Sequence, residues 1–478
     1  MLDDAEAPAQ EAQPASGRSG SDYLAGLAGR SIYLDGRHIA DPLEESTLRG
    51  IAEHIAGLVD AGRPGGLLCG ADGTPAAYSL AHSLSDLRAR GRAFSNSAKR
   101  SGGLLGRSPD FLATVLTSWR GASAYFGESE EALVAYWESA RSDNLVLTHA
   151  ISDPPAGRYG VDQPNGLFRA VREVGKTQDG IVVRGAKMLA TLSPFADDLV
   201  VYPYRALTEA ESDQAMLFSI PLKSPGLTLY ARPSLAPVSG SDYQLASRFD
   251  ELDAIVVFDD VLVPWERLFL RGDVGRANGL RNGTGMTSYA WHQSAARAYV
   301  KAEFVRELAE ACTIASNRVE QEATRQHLGE LAGISETLRS LVIAAEAEGR
   351  EDEHGHFVAD PVPLAAAGML NATLYPRAVE LLQLCVSSGL VVHPLTVDET
   401  IGSPAHPFYA SYFSGASGAF DHGRLLRAAA EVALDRFGAR QVLYERVFLG
   451  PPDAFKAKYY EIHGVGDRSL SMVDDLIR

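Results

Sequence analysis

Val146-Leu-Thr-His-Ala-Ile151 is the stretch on which the reading of the fold turns. Before it the chain punctuates like a set of helices. After it come short runs rich in β-branched residues, separated by turns. Upstream, helices are predicted over Ser21–Leu34, Leu43–Val59, Tyr78–Ser97 and Glu128–Asp143, and another starts at Phe111. Leu80, Leu84 and Leu87 recur near the helical period, and Pro109 suits a first helical turn. Downstream, strands are predicted at Phe168–Val174, Ile181–Arg184, Leu199–Tyr204, Ala215–Ser219, Leu227–Tyr230 and Ala254–Phe258. Asp179-Gly180, Pro225-Gly226 and Asp259-Asp260 supply the turns, which suggests a barrel or sandwich. From about Thr287 the helical pattern returns, over Ala290–Ala315, His327–Glu348, Leu364–Ser387, His422–Phe437 and Asp453–His463, which implies a bundle.

The predicted fold class is therefore α+β, in the order helices, β domain, helical bundle. The expected divisions are a disordered lead-in at 1–20, a helical domain at 21–148, a β-barrel at 149–275 and a bundle and oligomerisation domain at 276–478. Of the 478 residues, 46% are hydrophobic and 22% charged, an ordinary globular balance. A net charge of -17 without a basic stripe argues against a nucleic-acid surface. Met1–Gly20 lacks the apolar core of a signal peptide, and no apolar run is long enough to span a membrane. Cys69, Cys312 and Cys385 are far apart, so neither a disulfide framework nor a thiolate metal site is expected, and a cytoplasmic setting fits.

Generic motifs are missing. There is no Walker loop, no GxGxxG after a strand and no HExxH. Ser142-Asp143-Asn144 lacks the companion motifs of penicillin-recognising enzymes, and Glu351–His356 reads as a solvated loop rather than a metal site. Any active site must be assembled from separated residues.

A series of phrases in fixed order carries a resemblance. They are Arg30-Ser-Ile-Tyr-Leu-Asp-Gly-Arg37, Gly106-Arg-Ser-Pro-Asp-Phe111, His149-Ala-Ile-Ser-Asp-Pro-Pro155 and Gly185-Ala-Lys-Met-Leu-Ala-Thr191. Phe258-Asp-Asp-Val-Leu-Val-Pro-Trp-Glu-Arg267, Trp291-His-Gln293, Tyr375-Pro-Arg377 and Phe437-Gly-Ala-Arg-Gln-Val-Leu-Tyr-Glu-Arg446 follow. Together the chain resembles the 4-hydroxyphenylacetate 3-hydroxylase family, oxygenase components of two-component aromatic monooxygenases. The resemblance implies an acyl-CoA-dehydrogenase-like fold with a C-terminal four-helix bundle. It also implies FAD, supplied as FADH2 by a separate flavin reductase, with O2 as co-substrate. The expected reaction is hydroxylation of a phenol ortho to its hydroxyl through a flavin C4a-hydroperoxide. A homotetramer, as a dimer of dimers, is expected as well.

The same resemblance assigns roles. Arg107 and His149 are the expected catalytic pair at the phenol oxygen, where a guanidinium favours phenolate and an imidazole takes the proton. A turn-bracing arginine and a structural strand-end histidine are the plain alternatives. Phe111 stands where family members acting on 4-hydroxyphenylacetate carry a tyrosine, so one phenol contact is lost and 4-hydroxyphenylacetate itself is weakened as the substrate. That leaves room for a tyrosine-derived or carrier-tethered aromatic. Tyr204 and Arg205 begin a polar loop, Tyr204–Asp213, expected as a lid over the substrate; a surface hairpin is the alternative. For the flavin the expected contacts are His149, Pro155, Ala156, Gly157, Arg158, Thr191, Ser193, Phe437, Gly438, Ala439 and Arg440, with Arg158 and Arg440 toward phosphates. Trp291 is expected to pack rather than react.

Two rival readings share the fold. An iron–sulfur 4-hydroxybutyryl-CoA dehydratase needs three cysteines and a histidine. His292 sits at the family histidine's position, but Tyr299 holds the matching cysteine place and no cysteine lies near Arg107. An acyl-CoA-dehydrogenase-like flavin dehydrogenase needs a catalytic carboxylate, which the sequence does not place. The Ala/Gly/Arg-rich composition suggests a GC-rich bacterial source, a setting that fits secondary metabolism.

Overall fold

The computed structural model describes residues 17–155, 170–236, 243–392, 404, 407, 412, 422–465 and 471–477. The architecture is the one that the sequence implies: helices, then sheets, then a bundle.

The first section begins with α1 (Gly20–Ala25), capped by Ser19, and α2 (Ser46–Ala61). The helix expected over Ser21–Leu34 stops at Ala25. Ile32–Leu34 and Arg37–Ile39 instead form a hairpin, β1–β2, around Asp35-Gly36, both at positive φ. Asp-Gly is a strong two-residue hairpin signal, and Ile32 and Leu34 point into the core. Next come α3 (Leu84–Lys99), α4 (Pro109–Gly121) and α5 (Glu130–Ser142). The helix predicted from Tyr78 starts only at Leu84, with Ser83 capping it.

Two sheets follow. The strands are β3 (Leu147–Ala150), β4 (Arg172–Lys176), β5 (Gly180–Lys187), β6 (Asp198–Val201) and β7 (Met216–Pro221). The set is completed by β8 (Leu227–Ala231), β9 (Ala254–Pro264) and β10 (Leu268–Arg271). One sheet is ordered β2-β1-β8-β9-β5-β4 and the other β10-β7-β6-β3. Their facing sides share one core with α1 and α2. β9 corrects the sequence reading: Asp259-Asp260 is a bulge inside an eleven-residue strand, not a turn at its end. Asp260 has φ 52°, and the buried alternation changes phase there, from Phe258 to Val261. The opposing Gly185 has φ 131°, and a Cβ there would lie 2.3 Å from the Ala170 carbonyl oxygen.

The last section holds a short α6 (Ala246–Phe249), then α7 (Val274–Gly283), α8 (Met286–Ala315), α9 (Glu322–Ala347) and α10 (Pro361–Val386). It ends with α11 (His422–Ala433), α12 (Arg436–Val447), α13 (Pro452–His463) and α14 (Ser471–Ile477). The single helix predicted over His422–Phe437 is two, broken at Leu434-Asp435. There Gly438 meets the previous helix so closely that a Cβ would lie 2.1 Å from the Val432 carbonyl oxygen. Helices α8, α9, α10 and α11 share the bundle core. Burial is almost continuous along α8, which packs on the N-terminal helices as well as on its bundle neighbours.

Candidate functional site

The cleft that gathers the expected residues lies where three sections meet: the Arg107 turn before α4, the β3 edge strand, and the α7–α8 and α12–α13 corners. Arg107, Phe111, His149, Ile151, Tyr202 and Tyr204 line one side, and Arg281, Met286, Trp291, Phe448, Phe455 and Lys458 the other. About 650 Å³ of space, part of it open solvent, lies within it.

Arg107 is held at every level. Its backbone N–H donates to Glu251 Oε2 at 2.6 Å, and Nη1 donates to the Tyr444 hydroxyl at 3.0 Å. That hydroxyl in turn donates to the Gly106 carbonyl at 3.1 Å. The guanidinium lies 4.3 Å from the centre of the Phe111 ring and 4.6 Å from that of Phe448. Two aromatic faces fix a planar cation and shield it from water. Pro109 at the first turn of α4 sets the turn, and Ser108 and Asp110 bond one another and Gln293.

His149 stands on β3, opposite Val200 of β6. Its Nδ1 is 2.9 Å from the Tyr202 hydroxyl. Burial, with the charges of Arg107 and Arg281 added, holds the imidazole well below the usual histidine range. His149 is therefore neutral at neutral pH, with one ring nitrogen engaged by Tyr202. The Phe111 ring packs edge-on against His149, with ring centres 5.8 Å apart.

Behind this wall is a buried charge cluster. Arg297 and Lys301 of α8 both bond Glu445 of α12, at 2.5 and 2.7 Å, and Asn371 of α10 donates to Glu445 at 2.8 Å. Burial pushes Glu445 up, but the two cations hold it down at about 2.

Of the residues expected at the flavin, Ala156, Gly157 and Arg158 lie outside the described residues. Pro155 is exposed. Leu189 is 53% exposed and has φ 58°, a strained conformation for a residue with a side chain. Its neighbour Met188 bridges to Ser152, which lies two residues past the end of β3 and three before Pro155. Thr191 donates its hydroxyl to Asp253 at 2.7 Å, and its carbonyl accepts from Thr148. The Ser193 hydroxyl is sealed inside the protein without a hydrogen-bond partner among the described residues. Arg440 is fully engaged, at 2.9 Å from Asp253 and 3.0 Å from Glu251. Phe437 is core, Gly438 is a close backbone contact, and Ala439 is exposed. The apolar lip of Leu189 and Pro155 fits the ring system of a flavin. Arg440, spent on two carboxylates, does not fit as its phosphate partner.

Tyr204 lines the cleft. Arg205 does not; it pairs with Glu211 and, at 3.4 Å, with Asp153. Leu207 exchanges two hydrogen bonds with Asn278 of α7, which pins the 204–213 loop. His292 is buried against Glu346 at 2.9 Å, and Trp291, expected only to pack, lines the cleft. Sequence reasoning missed Tyr202, Glu251, Arg281, Phe448 and Lys458. Tyr444 lay inside a quoted phrase and carried a signal. Arg281 and Lys458 carried none.

Comparison with known proteins covers nearly the whole chain. Residues 19–270 match the family described as 4-hydroxyphenylacetate 3-hydroxylase N terminal, and residues 277–477 match its C-terminal counterpart. The chain is 32% identical over 470 residues to a 4-hydroxyphenylacetate 3-monooxygenase oxygenase component of Thermus thermophilus, covering 93% of this chain and 94% of that protein. It is 29% identical to a Streptomyces globisporus monooxygenase of a chlorohydroxyphenyl-aminopropanoyl group on a peptidyl-carrier protein, covering 93% of this chain and 87% of that one. A crystal structure of such a 4-hydroxyphenylacetate 3-monooxygenase oxygenase component, complexed with FAD and 4-hydroxyphenylacetate, superimposes with a TM-score of 0.86 at 31% identity, covering 96% of this chain and 98% of that one.

Proposed function

The chain belongs to the 4-hydroxyphenylacetate 3-hydroxylase family, and we propose that it is the oxygenase component of a two-component monooxygenase that hydroxylates a phenol ortho to its hydroxyl. The observation that carries this reading is the convergence of Arg107 and neutral His149 on one cleft. FAD, reduced by a separate reductase, supplies the oxygen-activating chemistry when bound.

The chain's own residues do the rest. A phenol seated between Arg107 and His149 gives its proton to the free imidazole nitrogen, while Nδ1 is held by the Tyr202 hydroxyl. The Arg107 guanidinium then stabilises the phenolate oxygen, and phenolate is the better nucleophile at the ortho carbon. Phe111, Phe448 and Met286 keep water away from the ring. Pro155, Leu189 and Thr191 are the residues that would hold the flavin ring, and Tyr204 would close the substrate side. Ala156, Gly157 and Arg158, outside the described residues, are assigned to the flavin on sequence grounds. Arg205, Ser193 and Phe437–Arg440 act by supporting the site rather than by contact.

A homotetramer is supported by apolar side chains exposed on the C-terminal helices, Leu443, Val447, Leu476 and Ile477 among them. No helix among the described residues is long and apolar enough to cross a membrane. Three free cysteines suit a reducing, cytoplasmic setting. Supplying the protein with reduced FAD, O2 and a panel of phenols tests the reading: catechol formation supports it, and peroxide as the sole oxygen product with every phenol overturns it.

A further inference from the structure

The cleft's charge is unlike that of the rest of the chain. On a protein of net charge -17, the lining among the described residues carries Arg107, Arg281 and Lys458 and no acidic residue. The other buried or half-buried arginines nearby have their charge answered. Arg297 is paired with Glu445, Arg440 with Glu251 and Asp253, and Arg232 with Asp250 and Asp253. Arg281 and Lys458 have no ion pair and no hydrogen bond from their charged groups among the described residues.

What holds the two cations is aromatic. Arg281, in the last turn of α7, lies 4.5 Å from the Tyr204 ring centre, and Lys458 of α13 has its ammonium 5.6 Å from that of Trp291. Tyr204 and Trp291 both line the cleft, so each ring presents its cation at the cavity wall. The two charges also act on each other: desolvation and the charge of Arg281 both lower the proton affinity of Lys458, which only Glu461, three residues on, opposes. Arg281 reaches inward too, since its charge disfavours protonation of His149. Arg281 is half-buried and Lys458 exposed at the cleft wall; two like charges there repel, and a bound anion turns that cost into attraction.

We propose that Arg281 and Lys458 form an oxyanion-binding subsite, which selects aromatic substrates bearing a carboxylate or phosphate at the end away from the reacting hydroxyl. The proposal rests on the reading that the Arg107–His149 end of the cleft holds the phenol. In that arrangement the substrate lies across the cleft, with its hydroxyl at Arg107 and its anion at Arg281. The guanidinium gives a paired hydrogen-bond fork to an oxyanion, and Lys458 adds a mobile point charge. Because the subsite uses cations other than Arg107, it fixes which way round the ring enters. It also compensates for Phe111, which lacks the hydroxyl that would otherwise hold the phenol.

The test is equilibrium binding to the full-length protein loaded anaerobically with reduced FAD. The probes are 4-hydroxyphenylacetate, its neutral amide, and the phosphopantetheine thioester of the same acid. The subsite predicts that at least one anionic probe binds about tenfold more tightly than the amide, a margin set by charge-assisted hydrogen bonding. It also predicts that the margin shrinks with salt. In the Arg281→Gln, Lys458→Gln double variant, folded by circular dichroism, the margin collapses to within about twofold; in Arg281→Lys alone part of it survives. The acid or the thioester being tighter tells a free carboxylate from a carrier-arm phosphate. Equal binding of all three probes, or a margin that the double variant keeps, overturns the subsite. Turnover is scored separately: anion-selective binding without any catechol sinks the proposed reaction and leaves the subsite standing, whereas catechol formation without selectivity does the reverse.

Discussion

Arg107 donates from Nη1 to the hydroxyl of Tyr444, 3.0 Å away on a helix from the other end of the chain. The contact joins the N-terminal turn to the C-terminal section and sets the plane of the guanidinium. Tyr444→Phe removes the acceptor and keeps the ring. A hydrogen bond to a charged group contributes about 1.5–3 kcal/mol. Part of that is lost as orientation, so we expect catechol formed per reduced FAD to fall about tenfold with the fold intact. Unchanged coupling would show that the two aromatic faces alone position Arg107.

Removing the cation itself has a larger effect. Arg107→Ala should lower hydroxylation about a hundredfold or more, the range for loss of one preorganised electrostatic donor. Arg107→Lys should restore little of it, because a compact ammonium does not fill the slot between Phe111 and Phe448. Single-turnover product yields, which separate binding from chemistry, check both.

His149 gives a pH prediction with a definite sign. Its folded value lies well below the ordinary histidine value of about 6.5, because burial and two nearby cations disfavour the charged ring. The imidazole stays neutral and able to accept a proton as pH falls through 6.5. The acid limb of the hydroxylation profile should therefore begin below that point. An acid limb centred at the ordinary histidine value would contradict the buried environment of His149.

Phe111→Tyr places a hydroxyl beside both Arg107 and His149. Phenol binding should tighten, by about tenfold if the new group bonds the phenol oxygen. Titration with phenols in the presence of reduced FAD reads it directly; weaker binding would mean that the hydroxyl is taken by Arg107 instead.

The Glu445 cluster governs stability rather than chemistry. The Glu445 carboxylate is held at about 2 in the fold against 4.5 for an ordinary glutamate. Its contribution is present in full above the unfolded value and is lost as pH falls toward 2. Glu445→Gln leaves Arg297 and Lys301 buried with no counter-charge and should destabilise the protein by about 3–5 kcal/mol at neutral pH. It should also flatten the acid dependence of urea unfolding between those two values.

Periodicity carried the order of helices, strands and bundle, because strand and helix runs differ in composition on either side of Val146. It failed where one residue changes the geometry. The bulge at Asp260 has the local look of a turn, and only pairing with β5 reveals a continuous strand. Arg107, Phe111 and His149 were legible because they stand in phrases whose order has meaning. Glu251, Tyr202 and Arg281 were not, since their importance lies in what they touch across the fold. Arg440 shows the converse: a conspicuous cation in a quoted phrase, paired with carboxylates that sequence spacing does not reveal.

The most direct test of the central claim is a single-turnover experiment. The protein, mixed anaerobically with chemically reduced FAD and a phenolic acid, is exposed to O2 while catechol and hydrogen peroxide are counted. Catechol should take most of the reducing equivalents in the wild type, and peroxide should replace it in Arg107→Ala. FAD held tightly in its oxidised form and reduced by an acyl thioester, with no catechol from any phenol, would contradict the claim.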